Sequence, residues 1–264
     1  MTVLLQVDDL IKKFGGVTAV NNVSFPVLKG EIFSLIGPNG AGKTTMFNMI
    51  SRVLPVTSGT ITLDGKDITR EAPHKIAALG MGRTFQNLAV FKHASVVDNL
   101  LVGRHSHMTT SVLGGLFFGP STRAAERAHR KRVEEIIDFL EIQHVRDVPV
   151  GALAYGLQKR VELGRALATE PKLLLLDEMV SGMNAEETED IARFILDLKE
   201  ELEITVMMIE HDMGIVTDIS DHIVVMNFGE RIAYGTPEEI RANQHVIEAY
   251  LGHKPAERAG VNDG

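Results

Sequence analysis

The sequence predicts an α/β fold, and three observations carry that prediction. A nearly continuous apolar strand runs into a glycine-rich turn and then a helix. A second apolar strand ends in two acids, and strand and helix alternate again over the last third of the chain. With 264 residues, 44% hydrophobic and 23% charged, the chain has the composition of a globular protein with a sizeable core. One large domain, or a core with a subdomain, is the size expectation.

Residues 2–63 read as short β-branched and apolar runs separated by turn signals at Gly15-Gly16, Lys29-Gly30, Thr57-Ser58-Gly59 and Asp64-Gly65, so several strands are expected. Among them Ile32-Phe33-Ser34-Leu35-Ile36 is apolar almost throughout, the pattern of a strand covered on both faces of a mostly parallel sheet. A helix over 43–51 should follow the glycines. Residues 90–168 change character. From Ser121 the chain is rich in charge, with Glu126, Arg127, Arg130, Lys131 and Arg132, and then Val133, Ile136, Ile137 and Leu140 recur at helical spacing. That predicts an amphipathic helix whose basic half is a solvated face or a surface for an acidic partner or lipid headgroups. Residues 103–120 mix His, Ser, Thr and Gly with an apolar tract and predict an irregular loop or a short helix. A strand over 173–176, a helix over 186–202 and strands over 205–209 and 223–227 then restore the alternation. The expected layout is two α/β parts with a helical insertion between them, and the polar tail beyond His253 is expected to fray.

Lys plus Arg total 27 against 35 Asp plus Glu, a net charge of −8, which argues against nucleic acid as a partner because phosphate-backbone binding needs a broad basic face. There is no cysteine. Disulfides, thiolate metal sites and a cysteine nucleophile are thereby excluded, and the interior of a cell is the simplest compartment. The first nine residues lack a basic stretch, so no secretory leader is expected. The apolar stretches fall far short of the roughly 20 residues that cross a bilayer, so a membrane role should be peripheral.

The motif Gly37-Pro38-Asn39-Gly40-Ala41-Gly42-Lys43-Thr44 has glycine, four residues, then Gly-Lys-Thr, between a buried strand and a helix. Glycines let consecutive backbone N–H groups curve around phosphates at a helix N-terminus, where the helix dipole favours anions. Lys43 would neutralise the β- and γ-phosphates of a nucleotide and the Thr44 hydroxyl would hold Mg²⁺, with Thr45 beside it. The second apolar strand, Leu173-Leu174-Leu175-Leu176, ejects Asp177 and Glu178 at the sheet edge where ligands bind in open α/β folds. Asp177 suits the Mg²⁺ shell, and Glu178 is placed to accept a hydrogen bond from an attacking water.

Together these residues resemble the ATP-binding-cassette (ABC) ATPases, over about residues 4–252. The resemblance implies an α/β cassette of the P-loop NTPase type, with an N-terminal antiparallel β region, a RecA-like core and a helical subdomain inserted at about 90–168, in one domain over 1–252 followed by a flexible tail over 253–264. It implies that Phe14 stacks on adenine, although Phe14 read alone is as readily a core residue. Gln86, otherwise a surface loop residue, would face Mg²⁺ and the membrane side and join the catalytic set. Leu153-Ala154-Tyr155-Gly156-Leu157-Gln158 matches the family signature, putting Ala154, Tyr155 and Gly156 toward the ATP of an opposite subunit, and Ser181-Gly182-Met183-Asn184 matches the dimer loop. His211 would sense the γ-phosphate. It directly follows the strand over 205–209, inside Glu210-His211-Asp212, which brings the imidazole to the sheet edge of Asp177 and Glu178.

Three positions depart from the family pattern. Ala154 replaces the signature serine and lacks its hydroxyl, Met179 replaces the proline after the glutamate, and Met183 replaces a leucine in the dimer loop. The two methionine exchanges conserve volume. The block 153–168, the long 103–120 stretch and the ending Val246-Ile247-Glu248-Ala249-Tyr250-Leu251-Gly252 resemble the ATPase subunit of branched-chain (hydrophobic) amino-acid importers, with urea and short-chain amide importers as an alternative. This implies ATP and Mg²⁺, a second cassette as head-to-tail partner, integral membrane permease subunits, an indirect solute-binding protein, and a peripheral position at the cytoplasmic face of the membrane. A soluble cassette acting on DNA or ribosomes is the rival class, disfavoured by the single cassette and the acidic charge. A P-loop kinase leaves the 153–158 block and His211 unexplained.

Overall fold

A computed structural model describes residues 2–84, 88–107 and 120–251. An antiparallel sheet runs in the order β2 (Val17–Leu28), β1 (Val3–Phe14), β4 (Ser58–Leu63), β5 (Lys66–Asp67). A second sheet has the order β10 (Glu230–Gly235), β9 (His222–Asn227), β3 (Ile32–Ile36), β8 (Thr205–Ile209), β7 (Leu173–Asp177), β6 (Met81–Arg83). Its pairs are parallel except β10 with β9.

The expectation that the apolar strands are covered on both faces holds residue by residue. Side chains alternate across a strand, so Ile32, Ile36, Leu174, Leu176, Val206 and Met208 enter one core while Phe33, Leu35, Leu173, Leu175, Met207 and Ile209 enter the other. The second core lies between the two sheets and is completed by Met46, Phe47, Met49 and Ile50 of α1 (Lys43–Ile50). Phe25 of β2 stacks there on Phe33 of β3, with centroids 5.2 Å apart. The short α2 (Pro73–Ile76) adds Ile76.

The first core is roofed by helices: α3 (Val96–Gly103), α4 (Pro120–Phe139), α5 (Tyr155–Leu167), α6 (Ala185–Glu200), α7 (Met213–Ile219), α8 (Pro237–Ala242) and α9 (Gln244–Leu251). Val133, Ile136 and Ile137 of α4 and the following Leu140 are buried, as their spacing predicts. The basic half of α4 is solvated: Arg130 pairs with Glu126 at 3.3 Å and Lys131 with Glu135 at 3.8 Å, all exposed. Such surface pairs are worth little.

Several boundaries move. The expected helix over 186–202 begins at Ala185 and ends at Glu200, its start fixed by a capping box in which Asn184 accepts from the Glu187 amide and Glu187 from the Asn184 amide. Gly59, read as part of a turn, lies within β4 at φ 94°, where a Cβ would sit 2.5 Å from the Asp9 carbonyl oxygen. It permits the close approach of β4 to an irregular stretch of β1. Residues 104–107 of the expected irregular stretch form a single 3₁₀ turn. Residues 108–119 and the tail over 253–264 lie outside the described residues.

Phe33→Ala removes a fully buried ring that meets Phe25, and should cost about 3–5 kcal/mol of stability. Urea unfolding should show a lower midpoint with an unchanged slope. A midpoint within error of the wild type would contradict the packing of the inter-sheet core.

Candidate nucleotide site

The carboxyl ends of β3, β8 and β7 lie together because the three strands are parallel neighbours, with Asp177 of β7 opposite Ile209 of β8 and Leu35 of β3 opposite Ile209. Each end delivers one piece of the site: the loop 37–44 after β3, Asp177 and Glu178 at β7, and His211 two residues past β8. They frame a cavity of about 520 Å³ lined by Val17, Thr18 and Ala19 of β2, Asn39, Gly40, Ala41, Gly42, Lys43, Thr44, Thr45, Glu178, His211 and Phe228.

The loop needs glycine at two places for measurable reasons. At Gly37, φ is 151° and a Cβ would strike the carbonyl of Met226; at Gly42, φ is 97° and a Cβ would lie 2.5 Å from the Ala19 carbonyl oxygen. Gly42 caps α1 without a side chain over the first turn, so the open N–H groups and the positive end of the helix dipole are available to an anion. Lys43 is 6% exposed and donates to the carbonyls of Gly37 at 2.7 Å and Pro38 at 3.1 Å. Burial lowers its pKa, and the Glu178 carboxylate partly offsets that. The ammonium is thus fixed inside the cradle.

Asp177 is nearly sealed, at 1% exposure. Its Oδ2 accepts from Arg83 at 2.9 Å, and its backbone amide donates to the Thr84 hydroxyl at 3.1 Å. Oδ1 is buried and accepts no hydrogen bond among the described residues. Burial raises the carboxyl pKa, Arg83 pulls it back, and Glu178 adds to the rise. A buried carboxylate oxygen with an open lone pair fits a Mg²⁺ shell, and the Thr44 hydroxyl stands in the first turn of α1 at the cavity wall. Among the described residues no cluster of three or more His, Asp or Glu offers a preformed metal cage.

Glu178 and His211 meet directly, Nε2 to Oε1 at 2.9 Å. Glu178 adopts φ 52°, unusual for a residue with a Cβ. Its amide donates to the Ile209 carbonyl at 3.0 Å. Asp212 caps α7 through bonds to the amides of Gly214 and Ile215, which orients the residue beyond His211.

Other expected residues lie elsewhere. Phe14 does not line the cavity. It stands 47% exposed at the end of β1, with the Lys12 ammonium 4.9 Å from its ring centroid, while its cross-strand neighbour Val17 does line it. Gln86 lies outside the described residues. Ala154, Tyr155 and Gly156 sit away from this chain's own cavity, at the start of α5 and against the start of α6. A Cβ on Gly156 would collide with the Glu187 carboxylate, and one on Gly182 would touch the Tyr155 ring at 3.6 Å. Ala154 is the N-cap of α5 and offers no side-chain bond. Met179 is fully buried and Met183 packs against the same core, so both departures act as apolar fillers.

Three residues at the site carried no sequence expectation. Arg83 comes from the three-residue β6, Phe228 from the turn between β9 and β10, and Glu210 directly precedes His211. Glu210 is 3% exposed, and burial lifts its pKa to about 7.

A glycine cradle at a helix N-terminus, a buried lysine within it and a carboxylate touching an imidazole define the class: a phosphate-loop ATPase. The sequence profile of the ABC transporter family matches residues 20–181, and that of the branched-chain amino acid ATP-binding cassette transporters matches residues 230–256. The chain belongs to the ABC transporter family as one of its ATP-binding cassettes. It is 45% identical over 249 residues to the high-affinity branched-chain amino acid transport ATP-binding protein BraF of Pseudomonas aeruginosa, covering 94% of this chain and 98% of that one. It is 41% identical to the corresponding LivG protein of Escherichia coli, with the same coverage. A nucleotide-free cassette from an ABC transporter superposes with a TM-score of 0.83 at 35% identity, over 96% of this chain and all of that one. An ATP-binding cassette of an ABC transporter in its ADP conformation superposes at 0.82 with 33% identity and the same coverage.

Because the Glu210 carboxyl binds its proton more tightly folded than unfolded, its contribution to stability is full below its ordinary value of 4.5 and is lost as pH rises through about 7. Replacing it by Gln should remove that component. Urea midpoints of both forms, measured between pH about 5 and about 8, should fall more steeply with pH in the wild type, and equal slopes would refute the assignment.

Proposed function

We propose that this ABC ATPase is the energy-supplying subunit of an importer for branched-chain or other hydrophobic amino acids. The observation that carries the reading is the meeting of the 37–44 cradle with the Glu178–His211 pair, 2.9 Å apart, at one sheet edge. The kinship with BraF and LivG supports the class of solute.

In this reading the amides of 39–42 and the Lys43 ammonium hold the β- and γ-phosphates of ATP, and Thr44, Asp177 and Gln86 would hold Mg²⁺. Bound there, the ion would supply charge neutralisation at the phosphates. Glu178 accepts a hydrogen bond from the attacking water and aligns it with the γ-phosphorus; His211 fixes the carboxylate and reports the γ-phosphate. The base lies toward Val17 and Phe14. Two cassettes pair head to tail, so that the amide of Gly156 beside Ala154 and Tyr155 reaches the partner's γ-phosphate and closure assembles the site. One domain over 1–252, with the insertion at about 90–168, performs this. Among the described residues no helix is long and apolar enough to cross a membrane, so separate permease subunits, fed by a solute-binding protein, would hold the cassette at the cytoplasmic face.

Lys43→Ala should weaken ATP binding and abolish turnover, because the triphosphate loses its main fixed cation. Wild-type phosphate release would remove Lys43 from this role. Glu178→Gln keeps the shape and loses the charge, so hydrolysis should fall by about 10²–10⁴-fold while ATP still binds. Size-exclusion chromatography with Mg-ATP should then show a trapped dimer. Normal turnover in this variant would move the base to another group.

A further inference from the structure

Glu210 lines no part of the cavity, yet it touches both chain segments that build the catalytic pair. It is the residue after β8 and immediately precedes His211. Its side chain turns inward. Its Oε1 accepts from the amide of Val180 at 3.2 Å, and the backbone of Met179 and His211 also favours its charged form. A buried acidic group on the residue before the imidazole is thus bonded to the segment that follows Glu178.

The backbone these bonds hold is strained. A non-glycine residue in the left-handed region is strained and persists only where its surroundings over-determine it. Glu178, at φ 52°, is fixed on its N-terminal side by the bond from its own amide to the Ile209 carbonyl. On its C-terminal side Met179 and Val180 are buried in the core, and the Val180 amide is held by Glu210. Without that acceptor a buried N–H group would be left unsatisfied, which costs more than losing an ordinary bond. A carboxyl is itself expensive to bury, and burial drives its pKa to about 7. An apolar residue would fill the space at lower cost if packing were its only task.

We propose that Glu210 is a positioning residue for ATP hydrolysis: its carboxyl ties the 178–180 backbone to the His211 backbone and so holds the Glu178 carboxylate against the imidazole in the geometry the attacking water requires. The proposal rests on the reading of Glu178 as the water-orienting group. Its effect should therefore fall on the chemical step and run through Glu178, leaving the phosphate cradle intact.

Steady-state phosphate release by the purified full chain, with Mg-ATP, tests this in a cycle of wild type, Glu178→Gln, Glu210→Ala and the double variant. Glu210→Ala should lower kcat by about 10- to 100-fold, the scale of a slightly misplaced catalytic group, with KM for ATP within about twofold of wild type. In the Glu178→Gln background it should cause no further loss, because the group it positions is already disabled. Glu210→Asp and Glu210→Gln decide the matter if the alanine variant unfolds on heating or fails to bind ATP. Asp keeps the charge but falls one methylene short of the Val180 amide; Gln keeps the reach and one acceptor oxygen. Turnover should rank wild type, then Gln, then Asp. Asp above Gln would assign the effect to charge and overturn the positioning role. So would a wild-type kcat in the folded alanine or aspartate variant, a KM that rises in step with the loss, or losses that add in the double variant. Normal turnover of Glu178→Gln alone would sink the underlying reading and this inference with it, whereas an inactive Glu178→Gln beside a fully active Glu210→Ala would overturn the positioning role alone.

Discussion

The hydrogen bond from the Glu178 amide to the Ile209 carbonyl, 3.0 Å long, continues the β7–β8 ladder one step past the end of β7. The rest of the site depends on that register. Parallel neighbours place their carboxyl ends on one edge, and here Asp177 pairs with Ile209 while Leu35 of β3 pairs with the same residue. A slip of one residue would exchange the two faces of a strand. It would send each side chain into the opposite core and displace the Glu178 carboxylate from His211. The register is enforced by the cores on both sides of the sheet, since every residue of β3, β7 and β8 is buried. The meeting of Glu178 with His211 is therefore an outcome of apolar packing on two faces.

That dependence explains what the sequence made legible. Continuous apolar runs announce strands covered on both faces, and a strand ending in Asp177 and Glu178, or leading to His211, announces where those groups emerge. The glycines of 37–44 announce a backbone that side chains cannot follow, and Met226 and Ala19 supply the obstruction. What stayed hidden depends on pairing across the chain. Arg83 belongs to a strand of three residues with no periodic signal, and its partner Asp177 is 94 positions away. Glu210 reads locally as one of several acids near a strand end; its burial follows from the side chain turning toward a loop 30 positions away. Gly59 shows the opposite error, where a turn-forming residue serves the approach of two strands.

The departures at the signature fit the local physics of the chain. Ala154 occupies an N-cap position, where Ser would satisfy an amide of the first turn and Ala costs roughly 0.5–2 kcal/mol in comparison. Gln158 donates to the Leu153 carbonyl at 2.8 Å, and the start of the helix packs against the capped start of α6. The Glu187 carboxylate lies where a Cβ on Gly156 would sit, so a larger residue there would displace it. Since Glu187 also completes the capping box with Asn184, the signature helix and the 181–184 loop share one anchor. Two segments that the family resemblance sends toward an opposite subunit are thereby tied together within one chain.

The electrostatics of the site divide in a way that bears on chemistry. Lys43, Asp177 and Glu210 are all nearly sealed, and burial disfavours the charged form of each. Glu178 and His211 sit at the cavity wall, more open to solvent. The buried groups are compensated: Asp177 by Arg83, Lys43 by two loop carbonyls and the nearby Glu178, Glu210 by backbone amides. A charge held by fixed dipoles and a rigid counter-ion does not reorganise when substrate charge arrives, which is the condition for electrostatic stabilisation to lower a barrier. Under the proposed function the more open pair would do what buried groups do poorly, namely exchange partners with water and phosphate. Asp177 keeps one buried lone pair, Oδ1, without a hydrogen bond among the described residues, and a divalent cation held there would supply the charge that the buried carboxylate still lacks.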